Sequence, residues 1–228
     1  MTSGTIDKSE SESAQLFTKI TLRATRESDL QTFFEYQLDP IANRMAAFTA
    51  KDPTDRDACM TRWRKNLADP TNITKTIMIG DQIVGTIASY LAPWTPVPHE
   101  RHVTYWIDRQ HWGKGIATAA LQQFLSDPQL QERPLYASAA HDNLGSIRVL
   151  EKCGFTVTGS AKAFANGRGV EIEETCLVLT QYADLRCSGA KDAAVWKESV
   201  LRGCRPDSCC LIEEQIEKKL RSNSGVRI

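Results

Sequence analysis

The sequence carries no net charge: 28 lysines and arginines balance 28 aspartates and glutamates across 228 residues. Without a surplus of either sign, no global field draws the chain to nucleic acid or to an anionic membrane, and neither is expected as a partner. No apolar run approaches the ~18 residues of a membrane span. The opening stretch MTSGTIDKSESESAQLF is polar and lacks the apolar centre of a secretory signal, so a cytoplasmic setting is expected. Seven cysteines are present, but none forms a CxxC pair. Cys59, Cys153 and Cys176 stand singly in apolar surroundings, and Cys187, Cys204, Cys209 and Cys210 fall late in the chain with no histidine nearby. Free thiols and no metal site are expected. The GxSxG elbow and the HExxH zinc motif are also missing, although His99 and His102 lie close together and Ser138, His141 and Asp142 crowd one strand end. Hydrolase chemistry of either kind is therefore not expected. There is no internal repeat.

Hydrophobic residues make up 41% of the chain, enough for one domain with a sizeable core. Residues 1–18 are rich in Ser, Glu and Lys and read as disordered. ITLRAT (20–25) reads as a strand, and a helix follows with Ser28 as its candidate N-cap. Pro40 interrupts that helix, and IANRMAAFTA continues as helix or loop. A second helix spans 52–70, with Cys59, Trp63 and Leu67 recurring along one side. The period then changes: ITKTIMI and QIVGTIASYL flank a Gly80-Asp81 turn and form a hairpin. RHVTYWID (101–108) is a strand that sets Val103, Tyr105 and Ile107 on one face and His102, Thr104 and Trp106 on the other. A helix follows the glycines of GKG, then a strand at 133–140. A helix over 142–155 stops at Gly154, and a hairpin turns at ANGRG. The order βααβββαβαββ predicts an α/β fold with a mixed sheet and helices on both faces, over residues 19–182. From about 186 the composition shifts, so 183–228 reads as an appended tail, partly helical or disordered.

The segment DRQHWGKGIAT (108–118) has two glycines between a strand and a helix. Lys114 is followed by Gly115 rather than Ser or Thr, so a P-loop fails. Thr118 stands where a dinucleotide fingerprint needs Gly or Ala, and no acidic ribose partner follows. Gln110, Gly113 and Gly115 instead satisfy a Q/RxxGxG/A pattern. Its physical sense is that unpaired N–H groups of the first helical turn, together with the helix dipole, favour an anion. Glycines at 113 and 115 remove the Cβ atoms that would hold a pyrophosphate off the backbone.

YWIDRQHWGKGIATAAL, followed by RPLYASAAHDNLGSIRVLEKCGF, resembles the GNAT superfamily of N-acetyltransferases, nearest the branch that acetylates ribosomal-protein N-termini. The resemblance covers about residues 20 to 180 and implies the GNAT-like acyl-CoA N-acyltransferase fold with acetyl-CoA as cosubstrate. It implies a CoA pyrophosphate on the backbone from His111 through Trp112, Gly113, Lys114, Gly115, Ile116 and Ala117 to Thr118. It places the pantetheine arm along the backbone of Trp106, Ile107 and Asp108. Asn143 would bond the pantetheine or support the strand end, and Ser146 would lie near the thioester sulfur. Both residue types also suit a helix cap. His102 stands where relatives carry a glutamate base, and Glu100 is close enough to serve through a water. A surface histidine is the other reading of His102. Relatives carry a tyrosine acid where this chain has Phe155, the next tyrosine being Tyr182, which leaves Ser146 as the candidate acid. The expected activity is acetyl transfer to a primary amine of a protein N-terminus or a small molecule, by a monomer or homodimer. Asp39, Asp52 and Asp55 would favour a cationic acceptor if they converged. The competing expectation is a non-catalytic acyl-CoA-binding sensor or interaction module of the same fold.

Overall fold

The computed structural model describes residues 20–92 and 100–180. The expected disordered segment 1–18, the tail 183–228 with its four cysteines, and Tyr182 lie outside the described residues. Seven strands form one mixed sheet: β1 (Ile20–Ala24), β2 (Ile73–Ile79), β3 (Gln82–Leu91), β4 (Arg101–Ile107), β5 (Leu135–Ala140), β6 (Thr156–Ala165) and β7 (Val170–Leu179). Their spatial order is β1-β2-β3-β4-β5-β7-β6. All neighbours are antiparallel except β4 and β5, which are parallel. Among the described residues, five helices accompany the sheet: α1 (Leu30–Gln37), α2 (Pro40–Ala46), α3 (Arg56–Ala68), α4 (Ile116–Leu125) and α5 (Leu144–Lys152).

The observed order has one helix more than the sequence pattern predicts. Pro40 does not continue or break α1; it opens α2 at a position where its missing N–H costs nothing. The Asp39 carboxylate caps that helix, accepting from the amides of Ile41 and Ala42. The second expected helix starts later than 52, at Arg56, because Asp55 caps it by accepting from Ala58 N–H at 2.9 Å. Ser28 is not a cap. It lies within a short 3-10 turn, Glu27–Asp29, closed by Asp29 N–H donating to Arg26 C=O and by Arg26 N–H donating to the Asp29 carboxylate. The helix expected over 142–155 is α5, capped by Asn143 and ended at Gly154, whose φ of 91° is left-handed.

One face of the sheet meets α4 and α5 in the main core. Ile77, Ile87, Ile116, Phe124, Leu135 and Leu177 are all buried there. On the other face Leu30, Phe33 and Met60 form a second cluster with Trp63 and Leu67 against Ile83. A bulge lets β3 serve both. Ile77 pairs with Gly85 and Met78 with Ile83, so Val84 is the extra residue. The side chains before and after it therefore change faces. Each such large side chain, taken out of water, contributes about 1.5–3 kcal/mol.

The feature that positions the site is the shortness of the β4–β5 ladder. Only Arg101 with Leu135 and His102 with Tyr136 are paired. Past His102 the two strands part, while β4 stays fully registered with β3 as far as Gly85–Ile107.

Candidate active site

The alternation along β4 decides what faces the gap. Asp108 N–H donates to Val84 C=O at 2.9 Å, and Ala92 N–H donates to Glu100 C=O at 2.9 Å. In an antiparallel pair the bonded residues alternate, so the even-numbered positions of β4 bond to β3. The main-chain groups of Val103, Tyr105 and Ile107 are therefore the ones turned toward β5. Of the three positions assigned to the pantetheine arm, Ile107 faces the gap, Trp106 is turned to β3, and Asp108 gives its N–H to β3 and its carbonyl to His111 N–H. The Ile107 carbonyl accepts from the Trp112 indole N–H at 2.8 Å, which folds the glycine loop back over the strand end.

After β4 comes a 3-10 turn, Arg109–His111. The Arg109 guanidinium pairs with the Asp39 carboxylate that caps α2, so the same aspartate ties the loop to the α1–α2 side. His111 lies 3.8 Å from the Asp108 carboxylate and 3.4 Å from the Gln82 amide nitrogen. Gly113 and Gly115 have φ of 72° and 76°. Left-handed backbone is a separate reason for glycine at both places, besides room for a ligand. A Cβ added at Gly113 would meet nothing within 4 Å, so that position is sterically open. Gly115 is the N-cap of α4, and no side chain caps the helix. The N–H groups of its first turn, Ile116 to Thr118, keep their orphan character there, with the positive end of the dipole behind them. Gln110 and Lys114 are exposed alongside, while Ile116 anchors the turn in the core.

His102 sits at the closed end of the gap. Its ring stacks between Tyr90, with centroids 5.9 Å apart, and Tyr136, 5.6 Å apart, on the neighbouring strands. Burial lowers its pKa below the ordinary imidazole value. The Glu100 carboxylate lies 3.7 Å from its Nε2, beyond direct hydrogen-bonding reach, and burial raises the carboxyl's pKa. Desolvation thus favours the neutral form of both groups.

Asn143 and Ser146 enter from α5. The Asn143 side-chain oxygen accepts from Ser146 N–H at 3.1 Å, and its amide nitrogen donates to Met45 C=O at 3.0 Å. Asn143 therefore caps α5 and ties it to the end of α2. The Ser146 hydroxyl lies 2.7 Å from the Tyr105 hydroxyl. Sequence reasoning placed Tyr105 on the strand face opposite His102 and gave it no role. A signal was present, since a tyrosine on a buried strand face needs a partner for its hydroxyl. Phe155, at the position where the resemblance implies a tyrosine acid, is a core residue.

The remaining candidates have other uses. Asp142 accepts both arms of the Arg168 guanidinium at 2.8 Å, and His141 Nδ1 contacts the Thr175 hydroxyl at 3.1 Å. They form no triad with Ser138. Asp39, Asp52 and Asp55 accept from the amides of Ile41, Thr54 and Ala58 in turn, so each closes a local turn or caps a helix. The indole N–H of Trp106, on the His102 face, is buried and has no partner among the described residues.

The chain is similar to known proteins in sequence and in fold. The sequence model of the acetyltransferase (GNAT) domain matches residues 19–156, more than half of the chain. YdaF of Bacillus subtilis strain 168, named as a ribosomal N-acetyltransferase, is 29% identical over 128 residues, covering 53% of this chain and 69% of its own. The solved structure of Mycobacterium smegmatis RimJ with a CoA disulfide aligns at a TM-score of 0.59 and 20% identity, covering 71% of this chain and 81% of RimJ. Spermidine N-acetyltransferase from Vibrio cholerae, solved with CoA and spermine, aligns at 0.60 and 19% identity, covering 72% and 96%. At these identities the two structures speak for the fold. Among the described residues, no helix is long and apolar enough to cross a membrane.

Proposed function

The chain belongs to the GNAT acetyltransferase family, and from that premise we propose that it moves an acetyl group from acetyl-CoA to a primary amine of a protein N-terminus or a small molecule. The observation that carries the reading is the parting of β4 from β5 after His102, directly before an uncapped α4. A thioester arm needs an open strand edge, and its pyrophosphate needs unpaired amides; the chain offers both in sequence. The amides of Ile116, Ala117 and Thr118 would hold the pyrophosphate, with Gly113 leaving room. The main-chain groups of Val103, Tyr105 and Ile107 would face the pantetheine.

The base and the acid stand on opposite faces of β4. His102 projects to the face that carries Tyr90 and Tyr136, whereas Tyr105, three residues on and ~10 Å along the strand, projects to the core face and meets Ser146. An amine arriving on the His102 side loses a proton to the imidazole, which its lowered pKa leaves neutral at neutral pH. The free amine attacks the thioester carbon, and sulfur leaves toward Ser146. Glu100, beside the imidazole, is placed to accept the proton through a water.

A thiol-release assay tests this with three amine classes: peptides with ribosomal-protein N-termini, polyamines, and aminoglycosides. The names of YdaF and of the Vibrio cholerae enzyme motivate the first two classes. Release of free CoA with one class alone identifies the acceptor. A chain that binds CoA tightly but releases no thiol with any amine is a binding module, and the transfer reading falls.

A further inference from the structure

Tyr105 spans the gap that the departing strands leave open. It lies on β4 three residues beyond the last β4–β5 pair, and its hydroxyl reaches the first turn of α5, the helix that follows β5. The Tyr105 Oη to Ser146 Oγ distance is 2.7 Å, and the Ser146 carbonyl is 3.2 Å from the same hydroxyl. A phenol has one proton to give. Either hydroxyl can donate across the shorter contact; where the phenol donates, the serine hydroxyl is left with its own proton directed elsewhere. Ser146 is otherwise fixed, because its amide donates to Asn143, which donates in turn to Met45 on α2.

We propose that Tyr105 is a positioning residue for the leaving thiolate: its hydroxyl donates to Ser146 Oγ and so aims the serine proton at the CoA sulfur. The proposal rests on the acetyl-transfer reading. In the step it serves, the amine nitrogen bonds to the acetyl carbon and the C–S bond breaks, with its electron pair going to sulfur. Sulfur takes the Ser146 hydroxyl proton, and Oγ regains the proton that the new amide nitrogen sheds. Of the two protons an ammonium loses, one ends on the thiol and the other in solvent by way of the base. Tyr105 gives up none. Burial pushes its hydroxyl up to about 12, above any working pH, so it stays a donor throughout.

The phenol ring packs against the main core, so Tyr105→Phe removes the hydroxyl and keeps the packing. The test reads the thiol of CoA itself in the binary complex, by the ultraviolet absorbance of the thiolate across pH, alongside calorimetric CoA affinity and kcat. Tyr105→Phe is expected to raise the bound thiol's pKa by ~0.5–1 unit and to lower kcat ~10-fold, with CoA affinity unchanged and only a small drop in melting temperature. Ser146→Ala should shift the thiol at least as far, and the double variant no further than Ser146→Ala alone. An unchanged thiol pKa in Tyr105→Phe overturns the proposal. So does a loss of CoA affinity without a thiol shift, which would make Tyr105 a prop for α5, and so does full additivity in the double variant. A wild-type chain that binds CoA but acetylates no amine sinks the transfer reading, while the thiol titration still decides the role of Tyr105.

Discussion

Gly85 is the position where one added carbon should cost the most. It lies on β3 opposite Ile107, and an ideal Cβ built there would sit 2.2 Å from the Trp106 carbonyl oxygen and 3.1 Å from the Ile107 Cδ1. Ordinary carbon–oxygen contact is over 3 Å, and the obstacle is backbone, so Gly85→Ala requires the end of β4 to withdraw by about 1 Å. Withdrawal loosens the Asp108-to-Val84 bond and its neighbour in the ladder, each contributing about 1 kcal/mol. It also opens the packing of Ile107, which is only 8% exposed. The expected destabilisation is about 2–4 kcal/mol, read as a lower midpoint in urea at unchanged slope. Gly159→Ala is the control, because that β6 glycine has open space and no left-handed φ, and its cost should be near zero. The site should feel the first change and not the second, since the glycine loop hangs from Ile107 through the Trp112 indole. CoA affinity should fall in Gly85→Ala even where the protein remains folded. If Gly85→Ala unfolds within 0.5 kcal/mol of Gly159→Ala, the reasoning that β3 presses directly on β4 is wrong.

Gly115→Val combines a left-handed φ of 76° with a branched side chain at the α4 cap, so CoA affinity measured by calorimetry should drop strongly in a chain that still folds; unchanged affinity removes the anion-cradle reading. His102→Ala should lower kcat by ~10²-fold, with the loss shrinking as pH rises and free amine accumulates. Because burial lowers the His102 pKa, the wild-type acid limb should fall below ~6.5, and an alanine variant with the same limb and near-full activity would move the base elsewhere. Asp29→Asn concerns stability in acid. Burial pushes the Asp29 carboxyl up, but the Arg23 guanidinium, the Arg26 amide and the Thr76 hydroxyl outweigh it and hold the pKa at about 2. A depressed carboxyl stabilises above its unfolded pKa of ~3.9 and loses that contribution as pH falls through its folded value. Melting temperature should therefore drop between about pH 4 and pH 2 in the wild type, and less steeply in Asp29→Asn.

Most of the fold was legible in the sequence because periodicity is a local property. ITKTIMI and VEIEETCLVL alternate, and they are strands. Cys59 is buried, and Trp63 and Leu67 on the same side of the helix pack on Leu30, Phe33 and Met60. What failed was local competition among caps. Ser28, Asp29 and Asp39 are all competent N-caps, and only tertiary partners choose among them. Asp29 is claimed by Arg23 and Thr76, 47 residues away in the second case, and Asp39 by Arg109. Pro40 was visible, but whether it ends one helix or begins the next depends on that choice.

The glycine loop was legible for a similar reason: its glycines, strand and helix are contiguous. The chemistry across the gap was not, because it depends on where β4 stops pairing with β5, and no short window records that. Alternation correctly sent His102 and Tyr105 to opposite faces, but it named no role for the face that carries Tyr105. The parting of the strands changes what that face offers. Past His102 β5 no longer pairs with β4, so a long side chain from the core face can reach the start of α5. Asn143 fixes where Ser146 is found. Its amide nitrogen reaches Met45, at the end of the helix that Pro40 opens and Asp39 caps. The extra helix that the sequence pattern did not predict is thus tied, through Asn143, to Ser146. Asp39 also pairs with Arg109 at the entrance to the glycine loop, so α2 braces both halves of the site.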